Sequence, residues 1–410
     1  MRQQILSAIR RRLHERGLDA YLAYTPSNVF YVTGFQSYFH MQWWRMQGTV
    51  LALIPADDSV EPGMMIGDFE ANPAQKVSGI RDVRAYRLWP EIRDAEMVAA
   101  PLASDESEPP RPAQFDEDEQ DGILRGLLGD RNLLGARIGT DLRYMLFDSY
   151  RRFSAVAPQA GWADFTGDMY ALRRIKYPFE VERLKLATEL SEAGMRFAVE
   201  NLRPGMKATD VRQRYVAGVA RAAMDDERYA GYSDYWILPA VGAGVGIGVD
   251  SERDAGLQGG DLVKFDCGTT VDGYRGDGGR TFVYGQPKAS AERLFGVLQE
   301  AHDRACAEIK PGVAVGEIFR TAQDHITRNG YPRFRRGHYG HSLGIDTFHE
   351  EPPYVSEGDP TPIEQGMVLA IETPAYTTDA GAIMIEDLVH VRENGIERLH
   401  ELPHGLKTFS

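Results

Sequence analysis

The sequence is short of cysteine, of long apolar runs and of positive charge, and each shortage removes a class of function. Its two cysteines, Cys267 and Cys306, are too few for a disulfide framework. Nothing therefore points to export, and a reducing cytoplasm is the expected home. No apolar run approaches the roughly 20 residues that span a bilayer, so no membrane partner is expected. Lys and Arg total 46 against 60 Asp and Glu, a formal net charge of -14. With no Lys/Arg stripe to reverse it locally, that charge repels a phosphate backbone and excludes nucleic acid as a partner.

What is present is an ordinary globular composition, 43% hydrophobic and 26% charged. A chain of 410 residues exceeds what one hydrophobic core usually serves, which predicts two domains. Ile5, Ile9 and Leu13 recur at i, i+4 spacing with Arg10, Arg11 and Arg12 among them. That pattern predicts an amphipathic helix from Arg2 to about Arg16, not a signal segment. Short strands are expected at Asp19–Tyr24, Thr49–Ile54 and Ala136–Gly139, with Asn28–Gly34 in a connection. Ser104–Gly122 is rich in Pro, Asp and Glu and reads as a solvated loop or lid. A helix is expected through Leu142, Leu146 and Tyr150, and Pro158–Gly161 then breaks the pattern.

A domain boundary near residues 160–167 divides the chain into 1–165 and 166–410. The second part opens with long helices through Leu172–Lys176 and Phe179–Glu182 toward Glu200. Two passages within it are alike, Leu202-Arg-Pro-Gly-Met-Lys-Ala-Thr-Asp-Val211 and Ile309-Lys-Pro-Gly-Val-Ala-Val-Gly-Glu-Ile318, each following a helix and opening another. If they share an origin, the second domain is a duplicated α+β half.

Carboxylates cluster on the strands of this second part. Asp261–Asp266 and Thr281–Tyr284 are β-type runs, and Asp272-Gly273 between them has the chemistry of a hairpin turn. Such a turn brings Asp266 toward Asp277. Met367–Glu372 and Ile383–Asp387 repeat the device around Thr378–Gly381, pairing Glu372 with Glu386. An acid on a buried strand is costly to ionise unless it is paired or holds a metal. Two divalent cations would balance four carboxylates, and His341 would add a nitrogen ligand. Oxygen-rich coordination with one imidazole suits manganese, cobalt, iron or zinc better than a thiolate-selected metal.

The surrounding motifs make the pattern specific. They are Leu172-Arg-Arg-Ile-Lys176, Gly260-Asp-Leu-Val-Lys-Phe-Asp-Cys-Gly268, Gly276-Asp-Gly-Gly-Arg-Thr-Phe282, Gly340-His-Ser-Leu-Gly344, His349-Glu-Glu-Pro352, Gly366-Met-Val368 and Ile385-Glu-Asp387. Residues 168–400 resemble the pita-bread metallopeptidase superfamily, which includes aminopeptidase P, prolidase, methionine aminopeptidase and creatinase. The first 165 residues resemble, more loosely, the amino-terminal α/β domain of the creatinase and prolidase branch. The resemblance implies two divalent ions, manganese foremost. Asp266 would chelate one, His341 and Glu372 the other, and Asp277 and Glu386 would bridge them. It implies Glu372 as the residue that handles a water proton, His349 as a catalytic residue beside the substrate, and a homodimer.

The chain departs from that branch at two places. Val249 stands where the peptidases carry a histidine upstream of the first Asp ligand, and no histidine occurs between Pro158 and Ala301. Met384 stands where prolidase and aminopeptidase P carry an arginine. The His341-to-His349 spacing is also one residue longer than usual. The leading expectation is a dinuclear hydrolase that cleaves an amide bond in a peptide or peptide-like small molecule. The alternatives are a metal-dependent hydrolase or lyase of a small creatine-, ectoine- or betaine-like solute, and an inert binding module. Aromatic-rich Tyr38–Trp44 and Tyr232–Trp236 could hold a cationic group, or serve as core or interface.

Overall fold

The protein, seen in a computed structural model, is described over residues 2–101, 109–243, 256–347 and 350–409. Val249, His349 and the segment 104–108 of the expected acidic loop lie outside the described residues. The chain divides into two compact units, Met1–Leu172 and Arg173–Ser410. The division falls within the helix Thr166–Arg174. The start of that helix belongs to the first unit because Asp168, buried, accepts from Arg12 at 2.6 Å and Arg16 at 2.7 Å.

The first unit is a six-stranded mixed sheet of β1 (Ala20–Ala23), β2 (Leu51–Pro55), β3 (Gly63–Gly67), β4 (Asp82–Tyr86), β5 (Arg137–Thr140) and β6 (Gly161–Asp164), in the order β4-β3-β2-β1-β5-β6. Its first helix is Arg2–Arg16 and buries Ile5, Ile9 and Leu13, as the spacing requires. The connection after β1 contains the helix Pro26–Thr33, closed by Gly34 at φ 71°. The helix expected through Leu142 begins only at Phe147. Residues before it are committed elsewhere: the buried Asp141 carboxylate accepts from Tyr21 Oη at 2.6 Å, Thr25 N at 2.8 Å and Asn28 Nδ2 at 2.8 Å. The acidic segment is likewise not all loop, since Glu117–Gly129 is a helix whose cap, Asp116, accepts from Glu119 N at 3.0 Å. Acidic residues there complement the positive end of the helix dipole.

The second unit repeats one design. Helices Pro178–Glu200 and Ala208–Asp225 precede β7 (Tyr232–Ile237), β8 (Ala240–Val241), β9 (Leu262–Val271), β10 (Tyr274–Arg275) and β11 (Gly279–Tyr284). Helices Ala289–Glu308 and Val315–Arg328 precede β12 (His338–Ser342), β13 (Glu351–Ser356), β14 (Val368–Glu372), β15 (Ala375–Thr377), β16 (Gly381–Ile383) and β17 (Glu386–Arg392). The two Pro-Gly turns match in detail. Gly205 (φ 82°) donates to Leu257 O at 2.8 Å while Leu257 donates to Met206 O at 2.7 Å. Gly312 (φ 92°) donates to Ile363 O at 2.9 Å while Ile363 donates to Val313 O at 2.8 Å. Positive φ explains why both turns carry glycine.

Each helix pair has its own core. The first buries Leu190, Val211, Tyr215 and Val219 against Val263, Phe265 and Cys267 of β9. The second buries Leu298, Ile318, Phe319 and Ala322 against Leu369, Ile371 and Val389. Val315, Ile318, Phe319, Ala322 and Ile326 follow the i, i+3, i+4 rhythm of one helix face. The sheet strands run in the order β10-β9-β11-β17-β14-β12-β13, so the strands bearing the five expected ligands or lying next to them are contiguous. This is the two-domain pita-bread architecture, with the duplicated half in the second unit.

Candidate metal centre

The register of these strands aligns the acidic residues. Asp266 of β9 pairs with Gly279 of β11, Gly279 pairs with Glu386 of β17, and Glu386 pairs with Glu372 of β14. One row crosses four strands, and three of its four positions are carboxylates. Asp272 (φ 48°) and Gly273 (φ 81°) form the turn that returns the chain from β9 toward Asp277. Both central residues at positive φ are the signature of a tight hairpin. The second acidic unit differs from the expected continuous strand: β16 ends at Ile383 and β17 starts at Glu386. At this corner Thr281 Oγ1 accepts from Met384 N at 2.8 Å and donates to Met384 O at 2.9 Å, replacing ladder bonds.

His341 lies on β12, opposite Ala370 of β14. Its Nδ1–H donates to Ser342 O at 2.9 Å, since a carbonyl can only accept. That fixes the tautomer with a lone pair on Nε2, which faces Asp277 Oδ2 at 3.5 Å. Burial pushes the His341 imidazole down to about 4, so it is neutral near pH 7. Two acceptors facing each other at this distance repel unless a proton or a cation lies between them. Ligand atoms of Asp277, His341 and Glu386 lie within 4.8 Å of one another.

Asp266 and Glu372, at the ends of the row, have basic partners. Lys264 Nζ, almost fully buried, donates to Asp266 Oδ2 at 2.6 Å and stands 5.3 Å from the centre of the Tyr376 ring. Arg336 Nη2 donates to Glu372 Oε1 at 2.7 Å, and His338 Nδ1 stands 3.2 Å from the same oxygen. The central pair has no such help. Asp277 Oδ1 and Glu386 Oε2 are buried with no hydrogen-bond partner among the described residues. Burial first, then Asp266 and Glu372, holds the Asp277 carboxyl well above the usual range. Burial, then Asp277, Glu372 and Asp266, does the same to Glu386.

Orphaned buried carboxylate oxygens, mutual repulsion and an oriented imidazole are the properties of a divalent-cation site, and these residues fit one. A second group, His302, Asp303 and His404, fails the same test. Asp303 Oδ1 already takes His404 Nε2 at 3.1 Å and Arg398 Nη2 at 3.2 Å. His302 Nε2 is bonded to Ile371 O at 3.0 Å. A cation has no unmet charge to answer there.

The structure brings together Asp266, Asp277, His341, Glu372 and Glu386 around one sheet. Lys264, Arg336 and His338 are the neighbours that sequence reasoning missed. Lys264 sits inside a recognised motif, but Arg336 lies just before β12 and meets Glu372 at the end of β14, 36 residues on, and only the Arg335-Arg336 pair close to His341 hinted at it. The first aromatic stretch, Tyr38–Trp44, packs mostly on aromatics: Phe39 stacks on Trp43 at 5.4 Å and meets Trp89 at 5.4 Å, and Arg45 covers Trp44 at 5.0 Å.

Comparison with known proteins identifies the family. Residues 182–393 match metallopeptidase family M24, and residues 6–175 match the creatinase/prolidase N-terminal domain. An uncharacterized peptidase, YqhT, of Bacillus subtilis (strain 168) is 27% identical over 270 residues, 66% of this chain and 74% of its own. The Xaa-Pro dipeptidase of Pyrococcus furiosus is 29% identical over 263 residues, 63% of this chain and 71% of its own. The solved structure of an Xaa-Pro dipeptidase from Bacillus anthracis superposes with a TM-score of 0.78 at 20% identity, covering 100% of both chains, and shares the fold. The chain belongs to metallopeptidase family M24, in the prolidase and aminopeptidase P branch, and is a hydrolase.

Proposed function

We propose that this hydrolase cleaves an amide bond in a peptide or peptide-like small molecule with two divalent ions held by Asp266, Asp277, His341, Glu372 and Glu386. The observation that carries the reading is the pair of orphaned oxygens, Glu386 Oε2 on the row and Asp277 Oδ1 on the link that leads into Gly279. With one oxygen each left without a hydrogen-bond partner among the described residues, Asp277 and Glu386 would be the shared ligands. Asp266 would serve one ion, and His341 with Glu372 the other. Divalent ions there would supply Lewis acidity toward water and toward a substrate carbonyl. Manganese is the metal we favour, with cobalt, iron or zinc as substitutes.

Glu372 accepts the proton of the attacking water and returns it to the leaving amine. Its carboxylate is held for this by Arg336. His349 is assigned, through its motif, to the substrate side. Strand register fixes Asp266, His341 and Glu386, and Asp277 sits in the short link between β10 and β11, which gives the rigidity that positioning requires. A homodimer is proposed from the family resemblance. A cytoplasmic site of action is supported by two buried free thiols, Cys267 and Cys306.

Buried Met384, in the arginine position, favours a second reading, a small non-peptide solute as substrate. A panel of Xaa-Pro dipeptides and tripeptides offered to metal-loaded protein separates the two. Cleavage that a chelator abolishes supports the peptidase; an untouched panel with metal bound favours the solute hydrolase or lyase.

A further inference from the structure

We propose that Arg336 is the positioning residue for Glu372, setting which carboxylate oxygen remains for a metal ion. The proposal rests on the reading of Glu372 as a metal ligand and proton acceptor. Glu372 and Glu386 are direct cross-strand partners, and like charges so placed push one another aside. Left alone, Glu372 would turn away from the row. Arg336 Nη2 opposes this at 2.7 Å from Oε1, with Arg336 20% and Glu372 7% exposed at the side chain.

His338 Nδ1 stands 3.2 Å from the same oxygen without a hydrogen bond to it, and with Oε1 taken by Arg336, Oε2 is the oxygen left to a cation. His338 is itself placed by the sheet, with its ring edge-on to His341 at 6.2 Å and against Tyr354 at 5.8 Å. Lys264 does the corresponding work for Asp266 at 2.6 Å. The two end carboxylates are thus each tethered by a base, while the two shared ones are not. A surface ion pair would leave its arginine hydrated, but Arg336 Nε is buried with no hydrogen-bond partner among the described residues. A guanidinium kept in that condition is being used for its direction.

The test compares wild type, Arg336→Ala and Arg336→Lys by calorimetric titration with Mn²⁺ and by the visible spectrum of the Co²⁺ form, alongside kcat and KM. The proposal expects Arg336→Ala to weaken one of the two binding events by about 10- to 100-fold and to leave the other unchanged. It expects kcat to fall by a similar factor with KM little altered. Arg336→Lys, which keeps the charge but not the planar fork, recovers part of both losses. Circular dichroism and the melting curve check that each variant is folded, and the lysine variant carries the test if the alanine variant is not. Wild type that binds ions, with variants that bind both equally well, overturns this role alone. Wild type that binds no divalent ion overturns the metal reading and this role with it.

Discussion

Glu372 of β14 and Glu386 of β17 are direct cross-strand partners, two acids placed opposite one another in a buried sheet. Such a pair is unfavourable for folding and persists only where something else compensates for it. The metal-free protein is therefore expected to be the strained state, and its pH response follows. Asp277 and Glu386 have folded-state pKa values raised by burial and then by their neighbours. The folded chain then holds protons that the unfolded chain has released. The stability they contribute is complete below the ordinary carboxylate range, about pH 4, and is lost as pH rises through the raised values. The melting temperature of chelated protein should fall as pH rises above the ordinary carboxylate range, and Mn²⁺ should remove that fall. A chelated protein that becomes more stable over that window contradicts the assignment.

Charge also predicts the order of metal binding. Four carboxylates face Lys264 and Arg336, leaving two negative charges uncompensated. The first divalent ion neutralises the set, and the second enters a site already balanced. Titration should resolve two steps, the first tighter by at least about tenfold, or about 1.4 kcal/mol. The first step should release the protons that the raised Asp277 and Glu386 carboxyls hold, visible as a heat that changes with the buffer.

Asp277→Asn separates stability from function. It removes a proposed shared ligand, so activity should fall by more than the roughly 10- to 100-fold that outer partners cost. It also removes a buried repelling charge, so the chelated variant should melt at or above the chelated wild type. Full activity in this variant would be incompatible with the two-ion reading.

Behind the row, Arg280 and Asp387 form an ion pair at 2.7 Å with both side chains almost fully buried. Arg280 also donates to Glu386 O, Gly279 O and Leu402 O, tying together the backbone that carries the row. Burial opposes the charge on Asp387, but Arg280, His400, His302 and Arg398 outweigh it and hold its carboxyl far below the usual range. Asp387→Asn strands the buried guanidinium and should cost roughly 3–5 kcal/mol in urea unfolding. A loss below about 1 kcal/mol would show the pair to be no more than a surface-type interaction.

Gly279 occupies the one row position without an acid, and a Cβ there would stand 2.0 Å from Met384 Cγ and 3.0 Å from Phe265 O. Gly279→Ala should destabilise the protein and weaken metal binding by shifting the corner before Glu386. Adding Met384→Ala should restore part of both, in a double-mutant cycle with a coupling of about 1 kcal/mol or more.

The row itself was legible because carboxylates on β-type runs, separated by Asp272-Gly273 and by Thr378–Gly381, leave a local pattern. The duplicated Pro-Gly turns were legible for the same reason. Arg336 was not, because its partner Glu372 is distant in sequence and the contact depends on how β12 meets β14. Nor was the helix in Glu117–Gly129 read within an acidic stretch, although its acids cap and complement the helix start. The late start of the helix at Phe147 escaped notice because Asp141, a turn-forming residue by type, draws its bonds from Tyr21, Thr25 and Asn28 far upstream.

The central claim is that Asp277 and Glu386 share divalent ions, and metal stoichiometry tests it most directly. Wild type, Asp277→Asn and Glu386→Gln are loaded with Mn²⁺, dialysed and measured by plasma mass spectrometry. The account predicts two ions per wild-type chain and a loss of metal in each variant. No bound metal in wild type, or the same content in all three, would contradict it.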